Sequence, residues 1–301
     1  MAFLLIPALR WMVIAMALVV VFAGASVRAQ PVEASDARGI TVRLQQPARH
    51  IITLAPNLTE LAFAAGAGER LAGVARYSDH PPEARGLPVV SDAVQFDVER
   101  MLALRADLVL AWQGGTPPEA IARMERAGLK IFVAGAAGLD DIARNITAIA
   151  HLAGTDAAGS ITRAAFDTDL RALRSRRSTG APVRVFYEIW GRPLMTVNNA
   201  HLISEIIGLC GGINVFGDQR PLTPEVSREA LLAARPDIVL GGSSADTPAA
   251  FSARWAALPP PLNVLPVRYL APDLMQRPTP RILEGARQVC SYLDGVRAAR
   301  R

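Results

Sequence analysis

The chain has 301 residues, of which 51% are hydrophobic and 20% charged, and its formal net charge is +5. That length and apolar content suit two ordinary domains, each with its own core. Arg10 and Arg28, near the N-terminus, carry part of the excess. The remainder, spread over the rest of the chain, is too weak a field for nucleic-acid recognition.

Residues 1–29 read as a secretory signal peptide. Arg10 precedes an apolar run from Trp11 to Ala25, and Val27-Arg28-Ala29 puts small residues at the two positions that a signal peptidase reads. The run is just short of a comfortable membrane span, so an N-terminal anchor is the alternative. Either reading predicts export, with the mature chain soluble or tethered at its N-terminus. A polar extension, residues 30–49, follows.

Residues 50–154 alternate strand and helix. "HIITLA" (50–55) is a short β-rich run ending at Pro56. "NLTELAFAAGAG" (57–68) reads as a helix capped by Asn57 and stopped by Gly66 and Gly68. "LAGVA" (71–75), "LVLAW" (108–112) and "KIFVA" (130–134) are further strands. The segment 156–177 has no proline and good helix formers, so its 22 residues are expected to form a stiff helix roughly 33 Å long, within a linking unit of 155–178. Alternation then resumes over 179–301 with "VRVFYEIW" (183–190), a helix in "HLISEIIGLCGG" (201–212), "DIVLGG" (237–242) and "LNVLPV" (262–267). The fold class is therefore α/β: two similar lobes with central parallel sheets, joined by one long rigid helix, with a ligand cleft between them at the carboxyl ends of the strands.

The lobes echo each other in detail. "VERMLALRADLVL" (98–110) and "SREALLAARPDIVL" (227–240) share Glu99 and Glu229, Arg105 and Arg235, and Asp107 and Asp237, each pair offset by 130 residues (229 − 99, 235 − 105, 237 − 107). "TELAFAAGAGERLAGV" (59–74) and "SEIIGLCGGINVFGD" (204–218) share a hydroxyl residue, a glutamate, an apolar helix and a glycine stop. Two cysteines, Cys210 and Cys290, suggest a disulfide in an exported chain. Two buried thiols are the alternative.

Loops beyond the strand ends supply the candidate ligand contacts: "RYSDHPP" (76–82), Trp112 with "QGG" (113–115), "WGRPLM" (190–195) and "RYLAPDLMQRPTPR" (268–281). Each offers an aromatic side chain or an arginine. Packing is the ordinary role of a lone aromatic, but three in corresponding loops favour a binding cleft. Catalysis finds little support. No G-x-S-x-G elbow is present, nor an H-E-x-x-H motif or clustered Cys and His for a metal. Asp79-His80 is at most half of a hydrolase triad.

With "NLTELAFAAG", "YSDHPPEA", "LALRADLVLAWQGG", "LCGGINVF", "PEVSREALLA" and "PRILEGARQVC", the chain resembles the periplasmic binding proteins of ABC importers for vitamin B12, iron-siderophores and haem, from about residue 50 to 295. The resemblance implies two α/β lobes on a long helix with little hinge motion, and cobalamin or a related corrinoid held between them. It implies no resident cofactor, no catalytic residue and no metal site. Tyr77, Trp112 and Trp190 then line the pocket, and Arg277 lies above the ligand. Cys210 and Cys290 form a disulfide. Glu99 and Glu229 meet arginines on the transporter's membrane-subunit dimer, to which the protein delivers its ligand as a monomer.

The chain departs from the corrinoid-binding pattern at Ala93, where a pocket tryptophan is expected, with Phe96 as the nearby replacement. It also lacks an aromatic near Leu222. Haem or a ferric siderophore is the alternative cargo, with Tyr77 or His80 as an iron ligand and Arg76, Arg192, Arg268 and Arg277 available to anionic groups. For Glu99 and Glu229 the alternative role is local, as carboxylates favouring helix N-termini.

Overall fold

The computed structural model describes residues 30–92, 94–176 and 180–300. The expected signal segment, Ala93 and the last residues of the expected linking helix lie outside the described residues. Among those described, no helix is long and apolar enough to cross a membrane.

The extension forms an antiparallel hairpin, β1 (Val32–Ser35) and β2 (Thr41–Leu44). It continues into β3 (Ile51–Thr53), α1 (Pro56–Ala64), β4 (Leu71–Ala75), β5 (Val89–Ser91), α2 (Val98–Ala103), β6 (Leu108–Trp112), α3 (Pro118–Arg126), β7 (Ile131–Ala134) and α4 (Leu139–Ala153). β3 to β7 make a parallel sheet in the order β5-β4-β3-β6-β7. Its strands are nearly continuous apolar runs because helices cover both faces.

α5 (Asp156–Arg174) then carries the chain to the second lobe. At 19 residues it spans about 28 Å. It buries Phe166, Leu170 and Leu173 along one face. Gly159 lets it lie close on α4, since a Cβ there would sit 2.4 Å from that of Ala150.

The second lobe comprises β8 (Val183–Glu188), a two-stranded hairpin of β9 (Trp190–Gly191) and β10 (Leu194–Met195), α6 (Leu202–Leu209), β11 (Gly212–Asn214), α7 (Arg228–Ala234), β12 (Ile238–Gly241), α8 (Pro248–Ala256), β13 (Val267–Tyr269), α9 (Pro272–Met275) and α10 (Ile282–Ala299). Its parallel sheet runs β11-β8-β12-β13. In both lobes the first strand is internal and the chain then builds outward on either side of it. Each lobe thus has a switch point where a ligand crevice opens beyond the strand carboxyl ends. The Cys210–Cys290 disulfide ties the end of α6 to α10.

Three local expectations need correction. Asn57 is not the cap of α1: Pro56 occupies the first turn, where its missing N–H costs nothing, and Ala55 precedes it. The expected strand at 262–267 is a single 3-10 turn, Leu262–Val264. Pairing with β12 begins only where the Pro266 carbonyl accepts from the Val239 N–H. The long run 183–190 breaks after Glu188, and Trp190 belongs to the hairpin.

The 130-residue repeat has a physical meaning at each position. The Asp97 and Ser227 side chains cap α2 and α7, accepting from the amides of Arg100 and Ala230. Arg105 and Arg235 end those helices in the left-handed region, at φ 55° and 44°. Asp107 then accepts from the Arg49 and His50 amides at 2.8 and 3.0 Å, and Asp237 from the Arg184 amide at 2.6 Å. In each lobe the aspartate clasps the entry of the first strand to the entry of its neighbour.

Candidate functional site

The loop after β4 is pinned from beneath by three buried hydroxyls. Thr53 and Thr59 are 2.6 Å apart, and Thr59 and Ser78 are 2.9 Å apart. Above this chain Tyr77 takes φ 66°, a conformation a bulky residue adopts only when its surroundings impose it. Its side chain stands free, with 76% of the residue exposed.

Arg277, from the opposite lobe, meets the same loop. Its guanidinium lies 2.9 Å from Asp79, 3.0 Å from Glu60 and 2.9 Å from Asp273, with the Tyr77 carbonyl at 3.5 Å. Burial works against the charge of Asp79, but the hydrogen bond and charge of Arg277 outweigh it and hold the carboxyl below its usual range. The structure thus brings Tyr77 and Arg277 together. It also shows three carboxylates already occupying the arginine that sequence reading assigned to the ligand.

Glu60 is the contact that sequence reading missed. It is buried in α1 and accepts from Arg277, from the Thr279 hydroxyl at 3.0 Å, and from Arg281 at 3.0 and 2.9 Å. The signal available was the shared hydroxyl–glutamate pair, Thr59-Glu60 and Ser204-Glu205. Glu205 makes the matching reach, accepting from the Leu139 amide at 2.8 Å and from Arg174 at 3.0 Å.

Trp112 ends β6, half-buried against the main core, and its backbone N–H donates to the Thr116 hydroxyl at 3.1 Å. Trp190 stands on the β9–β10 hairpin with 45% of its surface exposed. Its indole N–H donates to the Arg192 carbonyl at 2.8 Å. Beneath that hairpin Glu188 is fully buried, held by Arg254 at 2.6 and 3.1 Å and by the Trp255 indole at 2.8 Å.

Phe96 does not serve the cleft. It is 8% exposed and packs with Ile52, Val90 and Met101. Its loop bridges back onto Ser91, which turns the ring into the core. Of the other arginines, Arg268 leans over the Tyr292 ring at 6.0 Å, while Arg76 and Arg192 are exposed. Asp79 is committed to Arg277, not to His80. Among the described residues, no group of three His, Cys, Asp or Glu side chains is placed to hold a metal.

Glu99 and Glu229 are exposed in the first turns of α2 and α7. Both helices begin at the cleft edge: Phe96 bridges to the last residue of β5, and Glu225 bridges to Met195 beyond β8. Neither glutamate forms a salt bridge among the described residues. Glu229 has local partners nonetheless, its own backbone amide and then the Ser227 hydroxyl, which lower its pKa.

Two stacked α/β lobes, a single connecting helix and a crevice bounded by strand-end loops define a ligand-capturing protein. The family model described as periplasmic binding protein matches residues 51–253, and the chain belongs to that family. A vitamin B12-binding protein of Vibrio cholerae is 36% identical over 247 residues, covering 82% of this chain and 90% of the relative. A vitamin B12-binding protein of Yersinia pestis is 35% identical, covering 83% and 88%. Among solved structures, the periplasmic vitamin B12-binding protein BtuF of Vibrio cholerae superposes with a TM-score of 0.75 at 36% identity, covering 83% of this chain and 98% of that one. The periplasmic haem-binding protein BhuT, solved with two haems, gives 0.72 at 27% identity, covering 82% and 98%.

Proposed function

We propose that this protein captures cobalamin or a related corrinoid between its lobes and delivers it, as a monomer, to the membrane-subunit dimer of an ABC importer. Its N-terminal 29 residues direct export to the periplasm. Its role is binding without catalysis, and the corrinoid is cargo rather than a resident cofactor. One observation carries the reading. Tyr77 presents a bare aromatic side chain at the cleft, on a strained backbone fastened by the Thr53–Thr59–Ser78 hydroxyls. A planar macrocycle is the kind of ligand that such a ring, with Trp112 at the end of β6 and Trp190 on the β9–β10 hairpin, can stack upon. Glu99 and Glu229 then serve as paired handles for a two-fold symmetric transporter.

Haem is the second reading, favoured by the likeness to the haem-loaded relative and by the free Tyr77 hydroxyl, a haem-iron ligand type. Visible spectra and calorimetry with cyanocobalamin, cobinamide and haemin separate the two. Saturable binding of the cobalt compounds supports the corrinoid reading. Binding of haemin alone, with a charge-transfer band lost in Tyr77→Phe, replaces it with the haem reading.

A further inference from the structure

The second lobe carries a cavity of about 610 Å³. It lies between the β9–β10 hairpin, the start of α7 and the end of α8. Arg192, Arg228 and Arg254 contribute positive charge, over an apolar floor that includes Leu194, Leu231 and Trp255. Arg254 is committed to Glu188 and Asp246. Arg192 and Arg228 are exposed and form no salt bridge among the described residues, although the charge of Arg228 helps to lower the pKa of Glu229. Arg228 is the residue next to Glu229, so the cavity opens beside the candidate docking carboxylate.

The first lobe carries apolar residues at the corresponding positions. Counting back by the 130-residue offset, Val98 stands for Arg228 and Met124 for Arg254, and Met124 is fully buried. Arg123 closes the site by donating to the Phe96 carbonyl at 3.0 Å. The chain also passes directly from β3 to α1, whereas the second lobe inserts the β9–β10 hairpin between β8 and α6. The repeat is therefore symmetric in its glutamates and asymmetric at the positions of Arg228 and Arg254.

We propose that this cavity is a second docking point, built into the C-terminal lobe, that receives an acidic side chain from a periplasmic loop of the transporter's membrane subunit. The inference rests on the docking role given above to Glu229. Unpaired guanidinium groups over an apolar floor select a carboxylate flanked by an apolar side chain. Paired with a transporter cation for Glu229, that carboxylate makes a two-charge register that fixes how the lobe sits. Docking is thereby led by the C-terminal lobe, and the N-terminal lobe follows.

The test measures association of the mature protein with the importer's membrane dimer in nanodiscs, at low and high ionic strength. Arg228→Glu is expected to slow association about tenfold at low salt, with the difference shrinking as salt rises. Arg228→Gln should fall between it and the parent. A glutamate in the first turn suits the helix, so α7 is kept, and unchanged cyanocobalamin affinity verifies the fold. Arg100→Glu makes the same charge change on the first lobe and should slow association by less than about twofold. Equal losses for Arg100→Glu and Arg228→Glu would mean a net-charge effect and overturn the cavity's role. If Glu229→Lys abolishes docking while Arg228→Glu docks like the parent, the cavity proposal fails and the transport reading stands. A parent protein that does not bind the dimer at all overturns both.

Discussion

Glu60 and Glu205 hold the same station in the two lobes, each in the first helix after the first strand of its parallel sheet, and each directs its carboxylate into the opposite half of the molecule. Glu60 meets the residues leading into α10, the last helix of the second lobe, and Glu205 meets the first amide of α4, the last helix of the first. The lobes are latched reciprocally on either side of the connecting helix. Glu60 is the heavier latch, since its side chain is 3% exposed against 31% for Glu205.

Glu60→Ala should therefore cost about 3–5 kcal/mol, because it leaves Arg277 and Arg281 facing a desolvated void. Glu205→Ala should cost about 1 kcal/mol, as a partly exposed pair does. Urea unfolding measures both. Hydrogen exchange should show faster opening of residues 277–281 in the first variant.

Ligand contact is tested at the rings. Tyr77→Ala and Trp112→Ala should each weaken cyanocobalamin binding by about 1–3 kcal/mol, roughly 5- to 150-fold in Kd. Calorimetry reads this directly. Parental affinity in both variants would place the ligand elsewhere.

The docking role proposed for Glu99 and Glu229 has an alternative at their helix starts, and transport separates the two. Uptake by cells carrying Glu99→Lys with Glu229→Lys should fall well below that of either single reversal, while ligand affinity stays parental. Normal uptake with a lowered Tm would mean that the carboxylates serve α2 and α7 alone.

His201 gives a pH dependence. Burial pushes its pKa down to about 4, and its Nδ1 accepts from the Ile203 amide as the cap of α6. The folded pKa lies below the unfolded 6.5, so the unfolded chain takes up the proton first. The stabilisation is complete above pH 6.5 and declines as the pH falls towards 4, by up to about 3 kcal/mol. His201→Asn keeps a capping oxygen and cannot titrate, so its urea stability should lack that slope.

Reduction of the Cys210–Cys290 bond, which closes an 80-residue separation, should lower stability by about 4–5 kcal/mol in the chain-entropy account. The urea midpoint with and without reductant measures it. An unchanged midpoint would mean that the bridge merely decorates an α6–α10 contact already held by packing.

Much of the fold was legible because apolar runs and helix stops recur with a fixed offset, and the repeat points to paired lobes. The strands that escaped were β5 and the β1–β2 and β9–β10 hairpins, two to four residues long, too short for periodicity to register. Phe96 was misread because a loop aromatic has the same letter whether its ring faces solvent or the core. Arg277 was recognised as important but not for its partners: Glu60 is 217 residues away, and no spacing rule connects them. Asn57 was read as a cap because the adjacent Pro56, which takes the first helical position, was treated as the end of a strand.

The aspartate clasps at Asp107 and Asp237 have a consequence for how such a protein changes over generations. They fasten the strand entries, at the opposite ends of the sheets from every loop that faces the cleft. Register is thus secured where no ligand is touched, and the rim can be rewritten without disturbing it. Segments 76–82, 113–115, 190–195 and 268–281 are in that sense interchangeable fittings on a fixed frame. A relative's loops grafted here would carry its appetite for a different chelate, provided that the residues latching Glu60 travel with the last of them.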